Sequence, residues 1–365
     1  MPDALPGAAG VLREGVADRA FPGAVLEVGR SREVVRREAF GALTFGRGAP
    51  PTRLDTIFDL ASLTKVIATA TLTMRAVDDG RLRLDEPLAE RIPEWRGVDR
   101  ESVTIRDVLA HASGLTAYLP FYRDLTGRAE FQRAISTLPL EYPPRTQSIY
   151  SDLGFILLGF VLEDAHPARA AATPGTTDLM AGLDAQFQRL ASFLTADPLV
   201  YRPARALRPR IAPTEIDAWR GRLIVGEVHD ENAWALGGVA GHAGLFGTAA
   251  AVGAFARAAL RTIAGEPILA GPATMREFIR RAGLPASSRA LGWDTTLPSS
   301  SSGTLMSPTA IGHTGFTGTS LWIDWERDLY IVLLTNRVHP TRENEKIRQV
   351  RPRLHDAVLR DVFRL

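Results

Sequence analysis

Apolar and β-branched residues are concentrated in two pairs of short runs, one pair near each end of the chain. The first pair covers residues 23–28 and 34–40, and the second covers residues 318–324 and 329–335. In each pair a few turn-forming residues separate the two runs, which is the pattern of a β-hairpin. We therefore predict one β-hairpin near the start of the chain and a second near its end.

Between the hairpins the apolar positions change to helical spacing. Residues 64–79 carry apolar side chains three and four positions apart, and Gly80 follows as a helix stop. This pattern places Ser62 at the start of a helix. Residues 82–240 are rich in further helical patterns and in proline, with residues 104–109 opening one helix. We therefore expect a mainly helical region between the two hairpins.

Strands at both ends with helices between them predict an α+β fold. In this fold one antiparallel sheet is built from the N- and C-terminal segments and is flanked by helices. We expect a single unit with two lobes over residues 1–365. Its sheet lobe would contain residues 1–63 and 241–365, closed by an amphipathic helix at 345–363. Residues 64–240 would form an inserted, mainly helical lobe.

Two segments of simple composition interrupt these elements. Residues 166–178 consist mostly of Ala, Pro, Thr and Gly, and residues 299–302 are consecutive serines. Such compositions are typical of loops. We predict that residues 166–178 form a surface loop and that the serine run has no chemical role.

The composition excludes several classes of function. The chain has 365 residues, 45% of them hydrophobic, which is enough for a large core. Its formal net charge is +2 and no run of Lys or Arg is longer than two, so nucleic acid is a disfavoured partner. The absence of cysteine excludes disulfides, thiol catalysis and cysteine-bound metal. A catalytic nucleophile must therefore be an oxygen or a nitrogen atom.

The hydropathy pattern does not predict a membrane span. The longest apolar stretches, such as residues 155–162, are far shorter than the roughly 20 residues that cross a bilayer. The first residues include several charged side chains and lack the apolar core of a signal peptide. We therefore expect a cytoplasmic protein from the chain as given, or a periplasmic or secreted one if a signal peptide has been removed.

One lysine stands in an unusual place. Only two of the 43 basic residues are lysines, Lys65 and Lys346, and Lys65 follows Ser62 by three positions. Residues three apart lie on one face of a helix, so the Lys65 amine can reach the Ser62 hydroxyl. A serine hydroxyl is a weak nucleophile that needs a nearby base, and an amine can release and accept a proton where a guanidinium cannot. The alternative is that Ser62 only caps the helix.

Two further motifs define a family resemblance. The triplet YSD at residues 150–152 precedes the apolar run at 155–162, and the triplet HTG at 313–315 opens the second hairpin. The order S-x-x-K, then a Y-S-N-like motif, then a basic residue followed by Thr-Gly resembles the serine β-lactamase and penicillin-binding-protein superfamily. The match is to its class C β-lactamase-like branch of esterases, D,D-peptidases and β-lactamases, and it extends from about residue 22 to the end. The matching stretches are FDLASLTKV, TIRDVLAHASGL, IYSDLGFILLG, GVAGHAGLFGTA and GHTGFTGTSLWID.

The resemblance implies a β-lactamase/transpeptidase-like fold and a serine hydrolase that forms an acyl-enzyme. In that scheme Ser62 is the acylated nucleophile, and Lys65 and Tyr150 move protons. The backbone N–H groups of Ser62 and Phe316 would form the oxyanion hole. No cofactor and no metal is implied. The residues expected to contact substrate are Asp152, His313, Thr314, Gly315 and His242.

Two departures from the family pattern concern the substrate. Asp152 stands where relatives usually carry asparagine, and an ionised carboxylate accepts hydrogen bonds but donates none to an acylamino carbonyl. Asp152 also stabilises the cationic form of Lys65 and so shifts the role of base toward Tyr150, although its negative charge opposes a tyrosinate as well. His313 stands where many relatives carry lysine, and histidine is largely neutral at pH 7. Both changes favour an ester or a less demanding amide over a β-lactam.

Three functional hypotheses follow. The first is a serine hydrolase for carboxylic esters or small amides, whose partner is a small-molecule ester, amide or peptide. The second is a D,D-peptidase or β-lactamase acting on D-Ala-D-Ala peptides or β-lactams. The third, from a different class, is a penicillin-binding-like sensor or an inactive scaffold that binds without turnover. A sensor would stay acylated, whereas an enzyme releases product in a second phase.

The remaining candidate residues carry less specific predictions. Residues 229–231 and His242 include good metal ligands, but no H-E-x-x-H or comparable helix-spaced pair occurs, so a metal site is disfavoured. His111 is expected to form a hydrogen bond within the helical lobe. Arg145 stands where relatives commonly have glycine, and we expect it to face solvent.

Overall fold

The computed structural model describes residues 5–168, 180 and 182–365. The predicted surface loop at 166–178 therefore lies outside the described residues from position 169 onward. In the described part the strands are β1 (Gly23–Gly29), β2 (Val34–Gly41), β3 (Phe58–Asp59), β4 (Leu199–Tyr201), β5 (Ile216–Asp217), β6 (Arg222–Leu223), β7 (Leu245–Gly247), β8 (Asp294–Thr295), β9 (Ile311–Thr314), β10 (Ser320–Asp324) and β11 (Leu329–Thr335).

The main sheet has six strands in the order β2-β1-β11-β10-β9-β8, and adjacent strands are antiparallel. β1 lies directly against β11, with Leu26 opposite Leu333, so the first and last parts of the chain share one sheet. Both predicted hairpins are confirmed, as β1–β2 and β10–β11. The predicted α+β fold, with a sheet assembled from both ends, is therefore confirmed.

Helices cover the sheet and fill the middle of the chain. In the described residues they are α1 (Pro6–Ala17), a π-helical segment (Lys65–Ala70) that continues into α2 (Thr71–Asp78), α3 (Ile105–Leu109), α4 (Gly127–Thr137), α5 (Asp152–Asp164), α6 (Leu183–Leu194), α7 (Glu231–Ala235), α8 (Ala249–Ile263), α9 (Pro272–Ile279) and α10 (Ile347–Phe363). Short 3₁₀ helices lie at Leu88–Glu90, Phe121–Arg123, Arg205–Arg210 and Trp325–Arg327. None of these described helices combines the length and the apolar character that a bilayer span requires.

The helices predicted from periodicity are confirmed, with one difference in type. The helix expected at 64–79 is present, but its first part, Lys65–Ala70, is π-helical. A π-helical segment is rare and is frequently found at functional sites. The helix predicted to open at residue 104 does so through a capping box, in which the side chains of Thr104 and Asp107 each bond to the other's backbone N–H.

Two hydrophobic clusters lie on opposite faces of the sheet. On β11, Ile331 and Leu333 belong to the cluster shared with α1 and α10, whereas Val332 and Leu334 belong to the larger cluster shared with α8 and the helical region. This division follows from the alternation of side chains along a strand. Every residue of β11 is buried because helices cover both faces of the sheet.

Candidate active site

The candidate nucleophile Ser62 lies in a turn between β3 and the helix that follows. The Asp59 carboxylate holds this turn, because Oδ1 accepts from the Ala61 N–H at 2.8 Å and Oδ2 accepts from the His229 N–H at 2.7 Å. Ala61 has a left-handed backbone, with φ 47°. That conformation costs a residue other than glycine about 1 kcal/mol. The Lys65 N–H donates to the Ser62 carbonyl at 3.1 Å, so the first helical turn begins at the candidate nucleophile.

The Lys65 ammonium is fully buried among oxygen atoms of the site. It donates to Ser62 Oγ at 3.0 Å and to the His242 carbonyl at 3.0 Å. Asp152 Oδ1 lies 2.7 Å from the same nitrogen as an ion pair, without the alignment of a hydrogen bond. The structure thus brings together the serine and the lysine of the S-x-x-K motif, and it adds the carboxylate that replaces the usual asparagine.

The charges around Lys65 and Tyr150 determine their protonation at rest. Burial lowers the pKa of Lys65, but the Asp152 carboxylate and Tyr150 act in the opposite direction and prevail, so this pKa lies above its usual value. Burial raises the pKa of Tyr150; Lys65 acts against this rise and Asp152 adds to it. The resting pair is therefore an ammonium beside a neutral phenol. One proton must leave the pair before either group can accept the proton of Ser62.

Cations and imidazoles surround the Tyr150 ring. Lys65 Nζ lies 4.8 Å from the ring centroid, and the Arg289 guanidinium lies 5.0 Å from it. The ring centroids of His111 and His313 lie 4.7 and 5.7 Å away. Arg289 is not singled out by the sequence, because it lies in an irregular segment outside the three motifs. The structure therefore identifies a permanent cation beside Tyr150 that the motifs do not reveal.

Both imidazoles are neutral. Burial lowers the pKa of His111 and of His313 well below the usual value, and nearby cations lower each further. His111 Nδ1 accepts from the Ser151 N–H at 3.0 Å, which confirms the hydrogen bond predicted for His111. His313 Nδ1 lies 2.8 Å from the Thr314 carbonyl and so carries the ring proton. His313 is therefore not a substitute for the permanent cation of a lysine.

The β9–β10 turn, residues 315–319, closes the opposite side of the site. Two threonine hydroxyls of this turn donate to the carbonyls of Asp59 and Leu60, at 2.7 and 3.0 Å. The approach is so close that a Cβ on Gly315 would lie 2.6 Å from the Leu60 carbonyl oxygen. Only glycine fits this position without displacing one of the two segments. The turn is thereby fastened to the residues just before the nucleophile.

The two backbone N–H groups predicted to form an oxyanion hole are both available. Within residues 5–168, 180 and 182–365, neither the Ser62 N–H nor the Phe316 N–H donates to another group of the chain. The Phe316 side chain is half exposed and stacks on the His229 ring, with centroids 5.6 Å apart. Free N–H groups are what an oxyanion requires, and this use of them stays a prediction.

These elements enclose a cavity of about 520 Å³ that holds most of the predicted site residues. Lys65 contacts Ser62 from the buried side. The predicted residues that line the cavity are Ser62, Tyr150, Asp152, His313, Thr314, Gly315 and Phe316. The wall also contains five arginines that sequence analysis does not single out, namely Arg289, Arg337, Arg342, Arg348 and Arg351.

His242 is the exception among the predicted substrate contacts. Its side chain is 1% exposed and turns away to Asp230, with Nε2 2.8 Å from Oδ1. Its contribution to the site is instead the backbone carbonyl that accepts from Lys65. The expected contact between the His242 side chain and substrate is therefore corrected to a role in holding Lys65.

Residues 229–231 form part of a hydrogen-bonded wall. His229 Nε2 lies 2.8 Å from Glu215 Oε2, and Glu231 Oε1 accepts from Arg342 Nη2 at 2.6 Å. Among the described residues no group of three or more histidine and carboxylate side chains is arranged to hold a metal ion. Arg145, expected to face solvent, is half exposed and pairs with Asp107 at 2.7 Å.

Comparison with known proteins gives the family. A family model described as Beta-lactamase matches residues 8–354. A relative from Salmonella gallinarum (strain 287/91 / NCTC 13346), named "Putative D-alanyl-D-alanine carboxypeptidase", is 30% identical, with 90% of this chain and 82% of that protein covered. Fold, family match and relative together define a serine hydrolase. The chain belongs to the β-lactamase family, which confirms the resemblance drawn from its motifs.

Solved structures share the fold at lower sequence identity. EstCE1, described as a hydrolase with promiscuous acyltransferase activity, has a TM-score of 0.73 and 21% identity, with 97% of this chain and 98% of that chain covered. A class C β-lactamase from Rhodobacter sphaeroides has a TM-score of 0.70 and 17% identity, with 98% and 99% covered. Both likenesses concern the fold, and they confirm the predicted β-lactamase-like architecture.

Proposed function

We propose that this hydrolase forms an acyl-enzyme on Ser62 and cleaves carboxylic esters or small amides. The observation that carries the proposal is the 3.0 Å contact between Lys65 Nζ and Ser62 Oγ, beside Tyr150 at the edge of the cavity. A serine becomes a useful nucleophile when groups that move protons lie within hydrogen-bond reach. Lys65 and Tyr150 fit that requirement, because the Lys65 ammonium is buried beside Ser62 and Tyr150 lines the cavity.

In the proposed reaction Ser62 Oγ attacks the substrate carbonyl carbon while its proton passes to the Lys65–Tyr150 pair, which holds one proton fewer than at rest and exchanges protons between its amine and its phenol. The carbonyl oxygen becomes an oxyanion held by the N–H groups of Ser62 and Phe316. Collapse of this intermediate breaks the bond to the leaving group, which takes the proton from Tyr150, and Ser62 remains acylated. Water then attacks the acyl-enzyme by the same proton route and releases the acid.

The preference for esters and small amides rests on Asp152 and His313. Asp152 is an acceptor that faces Lys65, so it offers no N–H to the acylamino carbonyl of a β-lactam or peptide. His313 is neutral and offers no permanent charge to a substrate carboxylate. The binding of an ester that has neither an acylamino carbonyl nor a carboxylate is not weakened by these two changes.

A second candidate is a D,D-peptidase or β-lactamase. It is favoured by the 30% identity to the Salmonella relative and by the cations Arg289 and Arg348 on the cavity wall, which a substrate carboxylate could meet. This candidate predicts turnover of a D-Ala-D-Ala peptide or of nitrocefin, and that turnover should rise in Asp152→Asn. Negligible and equal turnover in both forms would count against it.

The test is a panel of p-nitrophenyl esters, D-amino-acid amides, a D-Ala-D-Ala peptide and nitrocefin, with Ser62→Ala as the control. Ester or amide turnover that is lost in Ser62→Ala supports the proposal. Labelling with an activated phosphonate should add one adduct to the wild type and none to Ser62→Ala. Equal labelling of both would refute the role of Ser62, and an acyl-enzyme formed from a carboxylic ester or amide that does not release the acid would indicate a sensor.

A further inference from the structure

In the part of the chain that the structure describes, two arginines on the cavity wall are buried without a carboxylate in ion-pair contact. Arg337 and Arg351 are 7% and 8% exposed, and no carboxylate of the described residues lies within 4 Å of either guanidinium. Other arginines of the same wall are paired, Arg342 with Glu215 at 2.7 Å and Arg348 with an exposed glutamate at 2.7 Å. A buried charge without a counter-charge destabilises the folded state. Folding stability alone therefore does not explain these two arginines.

Both guanidinium groups donate to carbonyls of the β9–β10 turn. Arg351 Nη2 donates to the Gly315 carbonyl at 2.7 Å and to the Thr319 carbonyl at 2.8 Å. Arg337 Nε donates to the Phe316 carbonyl at 2.7 Å, and its guanidinium carbon lies 4.4 Å from the centroid of the Phe316 ring. The turn is thus held by cations on one side and by the residues before Ser62 on the other.

Arg351 bonds to the peptide group that links Gly315 to Phe316. The Gly315 carbonyl and the Phe316 N–H belong to the same planar group, and a trans peptide holds the two in opposite directions. A donor bound to the carbonyl therefore fixes the direction of the N–H, which points away from Arg351. A charged donor at the carbonyl also polarises the peptide and strengthens its N–H as a donor.

We propose that Arg351 is a positioning residue for the oxyanion hole, which orients and polarises the Phe316 N–H through the Gly315 carbonyl. Arg337 supports this by holding the next carbonyl along the turn. No carboxylate of the described residues lies within 4 Å of the pair at rest, so its positive charge acts on the substrate oxygen when that oxygen becomes negative and favours the transition state over the ground state. The inference rests on the proposed function, because it requires a reaction that passes through an oxyanion.

The test compares Arg351→Met and Arg351→Lys with Arg353→Met on the same helix, where the Arg353 side chain is 56% exposed and pairs with Glu14. With a short neutral p-nitrophenyl ester we expect Arg351→Met to lower kcat by about 10- to 100-fold, with KM within about twofold. Outright removal of an oxyanion donor costs about 10²- to 10³-fold, and here the donor is weakened, not lost. Arg351→Lys should recover part of the loss, and Arg353→Met should behave as the wild type.

A spectroscopic measurement separates this role from general support of the fold. In an acyl-enzyme formed with a slowly hydrolysed ester, the carbonyl stretch reports the hydrogen bonds to the acyl oxygen. Weaker donation in Arg351→Met should move that infrared band to higher wavenumber, whereas a purely structural contribution would change the melting temperature and leave the band in place.

Each result decides between the alternatives. Equal kcat in Arg351→Met and Arg353→Met, a loss confined to KM, or an unmoved carbonyl band overturns the inference. If Arg351→Met does not fold, Arg351→Lys decides: unchanged kcat overturns the inference, and a several-fold loss with a shifted band supports it. Activity that persists in Ser62→Ala refutes the proposed function and the inference with it. Activity that is lost in Ser62→Ala but unaffected by Arg351→Met refutes only the inference.

Discussion

Buried charge is arranged differently on two sides of the cavity. We call the side formed by Ser62, Lys65, Tyr150 and Asp152 the lysine wall, and the side formed by the β9–β10 turn with Arg337 and Arg351 the turn wall. On the lysine wall the Lys65 ammonium faces the Asp152 carboxylate at 2.7 Å. On the wall of the β9–β10 turn, Arg337 and Arg351 bond to backbone carbonyls, and no carboxylate of the described residues lies within 4 Å of either guanidinium. Paired charges set the proton affinity of their neighbours, whereas unpaired cations favour an anion that forms only during the reaction. The lysine wall therefore suits proton transfer, and the turn wall suits oxyanion stabilisation.

The largest effect is expected from Lys65→Arg, which keeps the charge of the lysine wall but removes its ability to exchange a proton. We expect kcat to fall by about 10³-fold, in the range found when a group that transfers protons is lost. Steady-state kinetics on a p-nitrophenyl ester measures this effect.

The other lysine of the chain supplies a matched control for that change. Lys346 is exposed and donates to the Asp18 carbonyl, so Lys346→Arg should leave kcat unchanged. If Lys65→Arg keeps more than a tenth of the wild-type kcat, Lys65 acts only as a fixed charge and the difference between the two walls loses its meaning.

The second-largest loss of activity is expected from Gly315→Ala, which changes the turn wall. A Cβ there would lie 2.1 Å from Thr319 Oγ1 and 2.6 Å from the Leu60 carbonyl oxygen, so the turn must move away from the nucleophile segment. We expect kcat to fall by about 10²-fold, similar to the loss of one oxyanion donor. Gly10→Ala is the control, because a Cβ at Gly10 meets nothing within 4 Å. A normal kcat with a folded Gly315→Ala protein would show that the position of the turn is not critical.

Asp152→Asn alters the charge balance of the lysine wall. The carboxylate stabilises the Lys65 cation and opposes a Tyr150 phenolate, so its removal lowers the pKa of both groups. The rising limb of kcat/KM against pH should then move to lower pH by about one unit, which gives about a tenfold gain below that limb. Asp197→Asn, at an exposed loop position, should leave the profile in place. A limb that stays or moves to higher pH would contradict the assigned charge effect.

Local sequence patterns predict the framework of the site well. The two hairpins and the helix after Ser62 follow from side-chain periodicity, and the three motifs identify Lys65, Tyr150 and the β9–β10 turn because each uses a residue type in a defined order. Periodicity does not distinguish an α-helix from the π-helical Lys65–Ala70, since both bury the same apolar side chains.

The arginines of the cavity wall could not be predicted in this way. The chain contains 41 arginines, so the presence of an arginine does not by itself indicate a functional position. The burial of Arg289 or Arg351 also depends on segments that are far away in sequence. The role of the His242 backbone could not be predicted for a related reason: its carbonyl, not its side chain, reaches Lys65, and sequence patterns describe side chains. Roles carried by backbone groups and by common residue types emerge only from the three-dimensional structure.

The smallest effect is expected where the two walls meet, at Arg289. Its guanidinium lies 5.0 Å from the Tyr150 ring centroid and is only loosely paired with Asp294, at 3.9 Å. A cation there stabilises the phenolate, so Arg289→Met should raise the pKa of Tyr150 by about half a pH unit, in line with an interaction of about 0.5–1 kcal/mol. The rising limb of the pH profile should move to higher pH, opposite to Asp152→Asn, while exposed Arg280→Met leaves it unchanged. Opposite shifts from these two variants would assign the limb to the Lys65–Tyr150 pair. Shifts in the same direction would assign the limb to a group outside this pair. The proposal that the lysine wall transfers the proton would then be wrong.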